Sequence, residues 1–199
     1  MSKKIVAIVG SYTRGETTDT AVEAILAGAR ERGAETHTIY LAQQHLEFCM
    51  NCRRCTQEPG IERGKCAHQD DLESILTEIE AADAVVLASP VSQGSVTAVS
   101  YLFLERLTGF GFWPWGQKEL ILRTERRPRK AALVSASAMP AGFFIPVFTG
   151  TSRALRRMAH LLGAETVGHL WIGLSAQKPH HPLSTKVRER ARRIGRKLA

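Results

Sequence analysis

The residues in this chain best suited to metal or redox chemistry are its four cysteines. Cys49, Cys52 and Cys55 stand two residues apart in "CMNCRRC", and Cys66 follows after a gap of ten residues. Three thiolates at this spacing can ligate an iron–sulfur cluster, with the fourth ligand further along the chain. The same side chains could instead remain free thiols, structural or redox-active, or bind zinc together with a histidine. The spacing alone leaves these alternatives open.

A second segment with chemical potential is "GSYTRGETTDT", residues 10–20. It combines glycines, hydroxyl side chains and an arginine directly before a predicted helix, whose free N–H groups and dipole favour a phosphate. It contains neither G-x-G-x-x-G nor G-K-[ST], which excludes the Rossmann fingerprint and the Walker loop. The monophosphate of FMN is the best match to so short a loop. The alternative is an ordinary polar turn in which Thr18 or Asp19 caps the helix.

The elements that must position these segments alternate regularly along the chain. Short apolar runs predict strands, and apolar residues at helical spacing predict helices. The predicted strands are 4–10, 35–41, 84–90, 130–137 and 165–174, and the predicted helices are 20–33, 70–83, 95–107, 151–164 and 186–199. This alternation predicts an α/β fold with a parallel sheet covered on both faces. Ligands of such sheets bind at the carboxyl ends of the strands, so we expect a site in the loops after strands one, three and four.

Composition and charge indicate an ordinary packed domain. The 199 residues are 44% hydrophobic and 23% charged, which predicts one packed domain over residues 1–199. Much of the net charge of +8 lies in 186–199, where Val187, Ala191, Ile194 and Leu198 share one face and leave a solvated basic face opposite. No aromatic residues alternate with these charges, so we expect no nucleic-acid partner. The first apolar run is too short for a signal peptide or a membrane span, so we expect a cytoplasmic protein without membrane contact.

Three segments, taken in order, resemble the flavodoxin-like NAD(P)H-dependent FMN reductases, in particular the branch that includes the iron–sulfur flavoproteins. They are "IVGSYTRGETTDTAVEAILAGARERGAE", "CMNCRRC" and "ADAVVLASPVSQGSVTAVSYLFLERL". The resemblance implies a flavodoxin-like three-layer sandwich with a five-stranded parallel sheet of order 2-1-3-4-5. It also implies a homodimer or homotetramer.

The resemblance further implies a role for individual residues. Ser11, Thr13, Thr18 and Thr20 would hold the FMN phosphate; Pro90, Val91, Ser92, Gln93 and Gly94 would line the isoalloxazine ring; Ser135, Ala136 and Ser137 would form the other wall; and Cys49, Cys52, Cys55 and Cys66 would ligate a [4Fe–4S] cluster. The family often has an aromatic residue where Ser92 stands. The aromatic segment "GFGFWPWG", residues 109–116, could cover the flavin in its place, or pack on itself as a surface hairpin.

The resemblance implies an oxidoreductase that needs no catalytic acid, base or nucleophile, because the cofactor carries the chemistry. NADH or NADPH would donate electrons to FMN, and a quinone, a nitro compound, an azo dye or free flavin would accept them. The alternative is an electron carrier that uses FMN and a cluster on the cysteine loop. Flavodoxin-type carriers are usually acidic, so the basic charge favours the enzyme. A redox-sensing or nucleic-acid-binding module would rest on charge alone.

Overall fold

A parallel β-sheet with helices on both faces forms the centre of the protein. The computed structural model describes residues 2–123, 129–140, 150–178, 180 and 182–199. The elements are β1 (Lys4–Val9), α1 (Thr17–Arg30), β2 (Glu35–Tyr40), α2 (Leu72–Ala81), β3 (Ala84–Pro90), α3 (Ala98–Arg106), β4 (Gly111–Phe112), β5 (Ile121–Leu122), β6 (Arg129–Ala136), α4 (Gly150–Leu161), β7 (Ala164–Ile172) and α5 (Thr185–Leu198), with 3₁₀ turns at Leu41–Gln43, Arg54–Thr56 and Leu107–Phe110. Among these helices none combines the length and apolarity needed to cross a bilayer.

The strand order of the sheet confirms the predicted topology. The five parallel strands lie in the order β2-β1-β3-β6-β7, while β4 and β5 form a separate two-stranded sheet. Counted within the main sheet alone, this is the flavodoxin-like order 2-1-3-4-5. Strand β1 pairs with both β2 and β3, so the chain reverses its direction of travel across the sheet at β1. Ligands of open α/β sheets bind at this reversal point.

The sheet separates two hydrophobic cores. One packs α2, α3 and α4 against one face, and the other packs α1 and α5 against the opposite face. Leu87 of β3 belongs to the first core and Val86 to the second, which is why the strand reads as a continuous apolar run. The predicted stripes of the first two helices are buried: Val22, Ile25, Leu26 and Ala29 in α1, and Leu72, Ile75, Leu76 and Ile79 in α2.

The basic C-terminal helix packs as its pattern predicts. Ala191, Ile194 and Leu198 are buried against the α1 side of the sheet, Val187 at the start of the stripe is partly buried, and the basic side chains face outward. A Cβ atom on Gly195 would lie 1.8 Å from the carbonyl oxygen of Ile25, so the backbones of α5 and α1 are in direct contact. Only glycine permits so close an approach. The contact fixes α5 against α1, while the basic face of α5 remains in solvent.

Helix boundaries differ from the predictions at two places that bear on the site. Helix α1 begins at Thr17, three residues before the predicted start. Helix α3 begins at Ala98 and not at Ser95, because residues 92–95 form a tight turn. Strand β3 has the predicted bounds.

Candidate functional site

Three loops meet at the carboxyl edge of the sheet, where the sequence predicts the cofactor. The backbone N–H of Gly10 donates to the carbonyl of Ala88 at 2.8 Å, and the N–H of Val91 donates to the carbonyl of Ala136 at 2.7 Å. The ends of β1, β3 and β6 are therefore joined side by side. The last loop lies partly outside the described residues, which end at Pro140 on this side.

The first loop is folded on itself by its own hydroxyl groups. The buried hydroxyl of Ser11 donates to the carbonyl of Thr13 at 3.0 Å and accepts from the N–H of Thr13 at 3.3 Å. The N–H of Gly15, whose φ is +74°, donates to the Asp19 carboxylate at 2.7 Å. The same carboxylate accepts from the hydroxyl of Tyr40 at 2.6 Å. Burial and this hydrogen bond raise the pKa of Tyr40 to about 12.

The start of α1 has free capacity for an anion. Glu16 is the N-cap, in an extended conformation and without a side-chain capping bond, so the alternative with Thr18 or Asp19 as cap is wrong. The hydroxyl of Thr17 is buried and has no partner within the described chain. Thr20 uses its hydroxyl to bond the carbonyls of Glu16 and Thr17, both at 3.1 Å. The first N–H groups of the helix and one orphaned hydroxyl fit a phosphate at this end.

The second loop presents a two-residue turn to the same edge. Gln93 has φ of +47° and Gly94 has φ of +79°, as in a type I′ turn. The N–H of Ser92 donates to the carbonyl of Ser95 at 2.7 Å, and the N–H of Ser95 donates back at 2.9 Å. A Cβ atom on Gly94 would meet nothing within 4 Å, so the glycine serves the backbone angle and the space beside it is open.

The third predicted wall offers backbone more than side chains. The buried hydroxyl of Ser135 lies 3.0 Å from Nε2 of His169 on the neighbouring strand β7. The hydroxyl of Ser137 accepts from the N–H of Met139 at 3.0 Å. Ala136, between them, accepts the hydrogen bond from Val91. The hydroxyl groups of Ser135 and Ser137 are thus already engaged in hydrogen bonds within the protein.

Helix α3 starts directly beneath the first loop. The hydroxyl of Thr97, the residue before the helix, donates to the carbonyl of Gly10 at 2.6 Å. A Cβ atom on Gly10 would lie 1.8 Å from the hydroxyl oxygen of Ser100. The first loop therefore rests on the first turn of α3 without room for a side chain.

The four cysteines occupy one loop between β2 and α2. Cys49 and Cys52 are exposed, while Cys55 and Cys66 are partly buried. Burial raises the pKa of the Cys55 thiol, and the charges of Cys66, Cys49 and Cys52 raise it further. The N–H of Asn51 points at the sulfur of Cys49 at 3.4 Å.

The geometry distinguishes two kinds of metal group. Within the described ranges, no three Cys, His, Asp or Glu side chains converge as a single metal ion requires. A single zinc ion needs every sulfur at about 2.3 Å from one centre. An iron–sulfur cluster takes each thiolate on a different iron, which allows wider spacing between the sulfurs. The described residues thus form no site for a single ion, and the [4Fe–4S] cluster stays a prediction.

Arg106, the last residue of α3, binds the cysteine loop from below. Its guanidinium donates to both carboxylate oxygens of Asp70, at 2.7 and 3.1 Å, and to the carbonyl of Glu47. It also donates to the sulfur of Cys66 at 3.3 Å. Burial raises the pKa of Asp70, but the bonds from Arg106 and from the N–H of Glu47 outweigh it and hold the pKa below its ordinary value.

The hairpin of β4 and β5 holds the cysteine loop from the other side. The guanidinium of Arg53 lies between the rings of Trp113 and Trp115, 4.0 and 4.2 Å from their centres. The N–H of Trp113 donates to the carbonyl of Thr56 at 2.9 Å, and the hydroxyl of Thr56 donates to the carbonyl of Trp113 at 3.1 Å. The aromatic segment therefore packs on the cysteine loop, a placement that neither sequence prediction anticipated.

Close backbone contacts complete this attachment. A Cβ atom on Gly64 would lie 1.7 Å from the carbonyl oxygen of Cys55, and one on Gly109 would lie 2.6 Å from the carbonyl oxygen of Gly64. The buried guanidinium of Arg123 donates to the carbonyls of Gly60 at 3.0 Å and Cys55 at 3.4 Å. Burial lowers the pKa of Arg123. These contacts all involve backbone carbonyl groups of the cysteine loop, and together they fix the loop in place.

Several of these residues were not predicted from the sequence: Asp70, Arg106, Trp113 and Arg123. One of them carried a signal. Arg106 follows Leu102 by four residues and Phe103 by three, so it lies on the buried face of α3. A charged residue on an apolar stripe must find partners inside the protein.

Comparison with known proteins agrees with this geometry. The sequence model of the NADPH-dependent FMN reductases matches residues 3–177. An iron–sulfur flavoprotein of Archaeoglobus fulgidus is 26% identical over 149 residues, which are 72% of this chain and 66% of that protein. An iron–sulfur flavoprotein of Methanocaldococcus jannaschii is 35% identical over 103 residues, 52% of this chain and 51% of that protein. The chain thus spans about half to two thirds of the length of these curated relatives.

Solved structures support the fold. The NAD(P)H:quinone oxidoreductase from Methanothermobacter marburgensis superimposes with a TM-score of 0.70, covering 100% of this chain and 98% of that one. At 18% identity this likeness concerns the fold alone. The match to the family model covers most of the sequence and includes all three loops at the carboxyl edge. The chain belongs to the NADPH-dependent FMN reductase family.

Proposed function

We propose that this protein is an FMN-dependent NAD(P)H oxidoreductase that passes electrons to a small acceptor such as a quinone, a nitro compound or free flavin. The observation that carries the proposal is the junction of three loops at the reversal point of the sheet, within the region matched by the family. The solved NAD(P)H:quinone oxidoreductase, which shares the fold, supports a quinone as one acceptor to test.

The residues at this edge fit FMN. The orphaned Thr17 hydroxyl and the first N–H groups of α1 would hold its phosphate, together with Ser11, Thr13, Thr18 and Thr20. Bound FMN supplies the hydride and electron transfer. The chain's own part is to fix the ring. The turn at Gln93 and Gly94 would present backbone N–H groups to one side of the ring, and residues 135–137 would close the other side.

A glycine pair in this chain allows a matched test of the ring-binding turn. Gly94 and Gly33 have φ of +79° and +80°, and a Cβ atom on either would meet nothing within 4 Å. Valine therefore strains both backbones equally, but Gly33 lies between α1 and β2, at the opposite edge of the sheet. We expect Gly94→Val to lose FMN and NADPH:quinone activity and Gly33→Val to keep both. Equal FMN affinity in the two variants would remove the turn from the site, and wild-type protein without FMN binding would refute the proposed function.

A second candidate function adds a cluster to the flavin. We propose that Cys49, Cys52, Cys55 and Cys66 ligate a [4Fe–4S] cluster, so that the protein also transfers single electrons, as an iron–sulfur flavoprotein. The supporting observations are the four free cysteines on one loop and the N–H donors at Cys49 and Cys66. Iron and sulfide should be found in protein purified without oxygen and should be lost in Cys52→Ser. Wild-type protein with flavin absorption and no iron would leave the enzyme and refute the cluster.

We also propose a homodimer or homotetramer. Large apolar side chains are exposed on the loops beside both candidate sites: Tyr12, Phe48, Met50 and Met139, each more than half exposed. Burial of such side chains in a subunit contact is favourable. Sedimentation of the FMN-loaded protein at micromolar concentration should give at least twice the chain mass of 21.9 kDa, and a monomer would contradict the proposal.

A further inference from the structure

Cys66, the fourth cysteine, is not held near the other three by close spacing along the chain. Cys49, Cys52 and Cys55 are spaced so that one short loop carries all three, but ten residues separate Cys55 from Cys66. A segment of that length without helix or strand costs conformational entropy to order. A ligand at its end is useful only if something holds it in place before the metal arrives.

Arg106 makes the contacts that such a role requires. Its side chain is 1% exposed, and so is that of Asp70, with which it forms a two-bond ion pair. This pair ties the start of the cysteine loop, through the carbonyl of Glu47, to the segment after it, through Asp70. Cys66 lies between these attachments, and the remaining Nη2–H contact of the guanidinium is to its sulfur at 3.3 Å.

The geometry also selects arginine over lysine. One planar group satisfies a carboxylate with two parallel bonds and still directs N–H groups at a carbonyl and a sulfur. Lysine would keep the charge, but its single ammonium cannot reproduce this fork. Cys66 also packs against the core formed by α2, α3 and α4, which supports its side chain from the protein side.

We propose that Arg106 is a positioning residue that holds Cys66 as the fourth thiolate of the cluster and donates a hydrogen bond to its sulfur. The inference rests on the cluster proposed above. A hydrogen bond to a ligand sulfur disperses negative charge, so it stabilises the reduced state and raises the reduction potential. Arg106 thus determines both whether the cluster is retained and how readily it accepts an electron.

Arg63 provides a matched control. It is a second guanidinium of the same region, with a side chain 7% exposed, but its partners are the carboxylates of Glu73 and Glu80. Arg63→Lys and Arg106→Lys therefore make the same chemical change at two buried guanidinium groups, of which only Arg106 bonds a cysteine. The carboxylates that Arg63 binds are more exposed than that of Asp70. Asp70→Asn is a milder second variant, since it keeps the shape of Asp70 and weakens its hold on Arg106.

The experiment uses full-length protein purified without oxygen and incubated with ferrous iron, sulfide and FMN. Iron, sulfide and FMN per chain, the urea midpoint and the cluster potential are measured for each variant. We expect Arg106→Lys to retain FMN, to lose its iron to a chelator at least tenfold faster than wild type, and to show a lower potential. Arg63→Lys should match wild type in both cluster measurements, and Asp70→Asn should shift in the direction of Arg106→Lys.

The outcomes separate the two proposals. Wild-type protein that binds FMN and takes up no iron refutes the cluster, and the role of Arg106 falls with it. Wild-type protein with a cluster, and Arg106→Lys with the same iron retention and potential, overturns the inference alone. If Arg106→Lys does not fold, Asp70→Asn decides: unchanged retention and potential there also overturn the inference. Equal loss in Arg63→Lys would mean that any arginine ion pair of the loop region has this effect, and would overturn the inference too.

Discussion

A pH dependence of stability follows from the environment of His169 on the outer strand β7. Its ring bonds the buried hydroxyl of Ser135, and Arg156 of α4 and Arg190 of α5 flank it from the two helical layers. Burial, together with the smaller effect of the two arginine charges, lowers the pKa of His169 from 6.5 to about 4. The folded protein therefore keeps this imidazole neutral across the mildly acidic range.

The sign and size of the effect follow from linkage. Above about pH 7.5 the histidine is neutral in both states, and its full contribution to stability is present. As the pH falls toward about 4, only the unfolded chain takes up the proton, so stability is lost. For these two pKa values the loss between about pH 7.5 and about pH 5 is about 2 kcal/mol. Protonation within the fold would place a cation beside Arg156 and Arg190.

Urea unfolding at the two pH values, followed by circular dichroism, measures this loss. His169→Gln keeps a hydrogen-bonding side chain without a titrating ring, so its loss of stability should be smaller than that of wild type by about 2 kcal/mol. His160→Gln, an exposed position on α4, serves as the control and should follow wild type. Parallel curves for His169→Gln and wild type would refute the reasoning, because the histidine would then be free to charge in the folded protein.

Three further substitutions test the close contacts. Gly10→Ala places a methyl group 1.8 Å from the Ser100 hydroxyl, so FMN affinity measured by fluorescence should fall at least about tenfold, or about 1.4 kcal/mol. Gly64→Ala places one 1.7 Å from the Cys55 carbonyl, which should lower unfolding stability by about 1–3 kcal/mol and reduce iron content. Arg53→Lys removes a guanidinium that stacks on two tryptophans. Hydrogen exchange in the cysteine loop should then be faster, because the free energy of local opening falls by about 1–2 kcal/mol.

Each of these changes has an internal check. Adding Ser100→Ala to Gly10→Ala removes the nearest atom, so the double variant should regain part of the FMN affinity. Gly60→Ala meets no atom within 4 Å, so it should retain iron although its φ of +132° strains the backbone. Exposed Arg54→Lys should leave hydrogen exchange unchanged. A Gly64→Ala protein with normal stability and iron would contradict the packing of the loop.

The fold could be predicted because its signals are local. Each buried strand is a short apolar run, each helix carries an apolar stripe, and the alternation of the two fixes a parallel sheet. The start of α1 was misplaced because Glu16 caps it without a side-chain bond, so no capping residue marks the position. The start of α3 was misplaced because Ser95 fits the helical pattern but is required in the turn that it forms with Ser92.

The surroundings of the cysteines could not be predicted in this way. Trp113 lies 60 residues from Arg53 along the chain, and no periodic pattern connects them. Arg106 lies on the buried face of its helix, but no pattern identifies Cys66, 40 residues away along the chain, as its partner. Side chains such as Trp113 and Arg53 are ambiguous in sequence, since each is as compatible with solvent as with a partner. The four cysteines were found because their spacing is itself the signal, whereas the residues that hold them are defined only by the folded chain.

Helix α3 connects the two candidate sites and sets the distance between them. Its N-terminal flank, Thr97, supports the flavin loop at Gly10, and its last residue, Arg106, holds Cys66. At 1.5 Å per residue these two attachments are roughly 13 Å apart along the axis. One residue inserted into the helix would turn Arg106 by about 100° away from its sulfur, whereas an insertion of four would return it to nearly the same face, roughly 6 Å further on. The distance between the two sites is therefore set by the length of α3, and their relative orientation by the rotation of the chain about the helix axis.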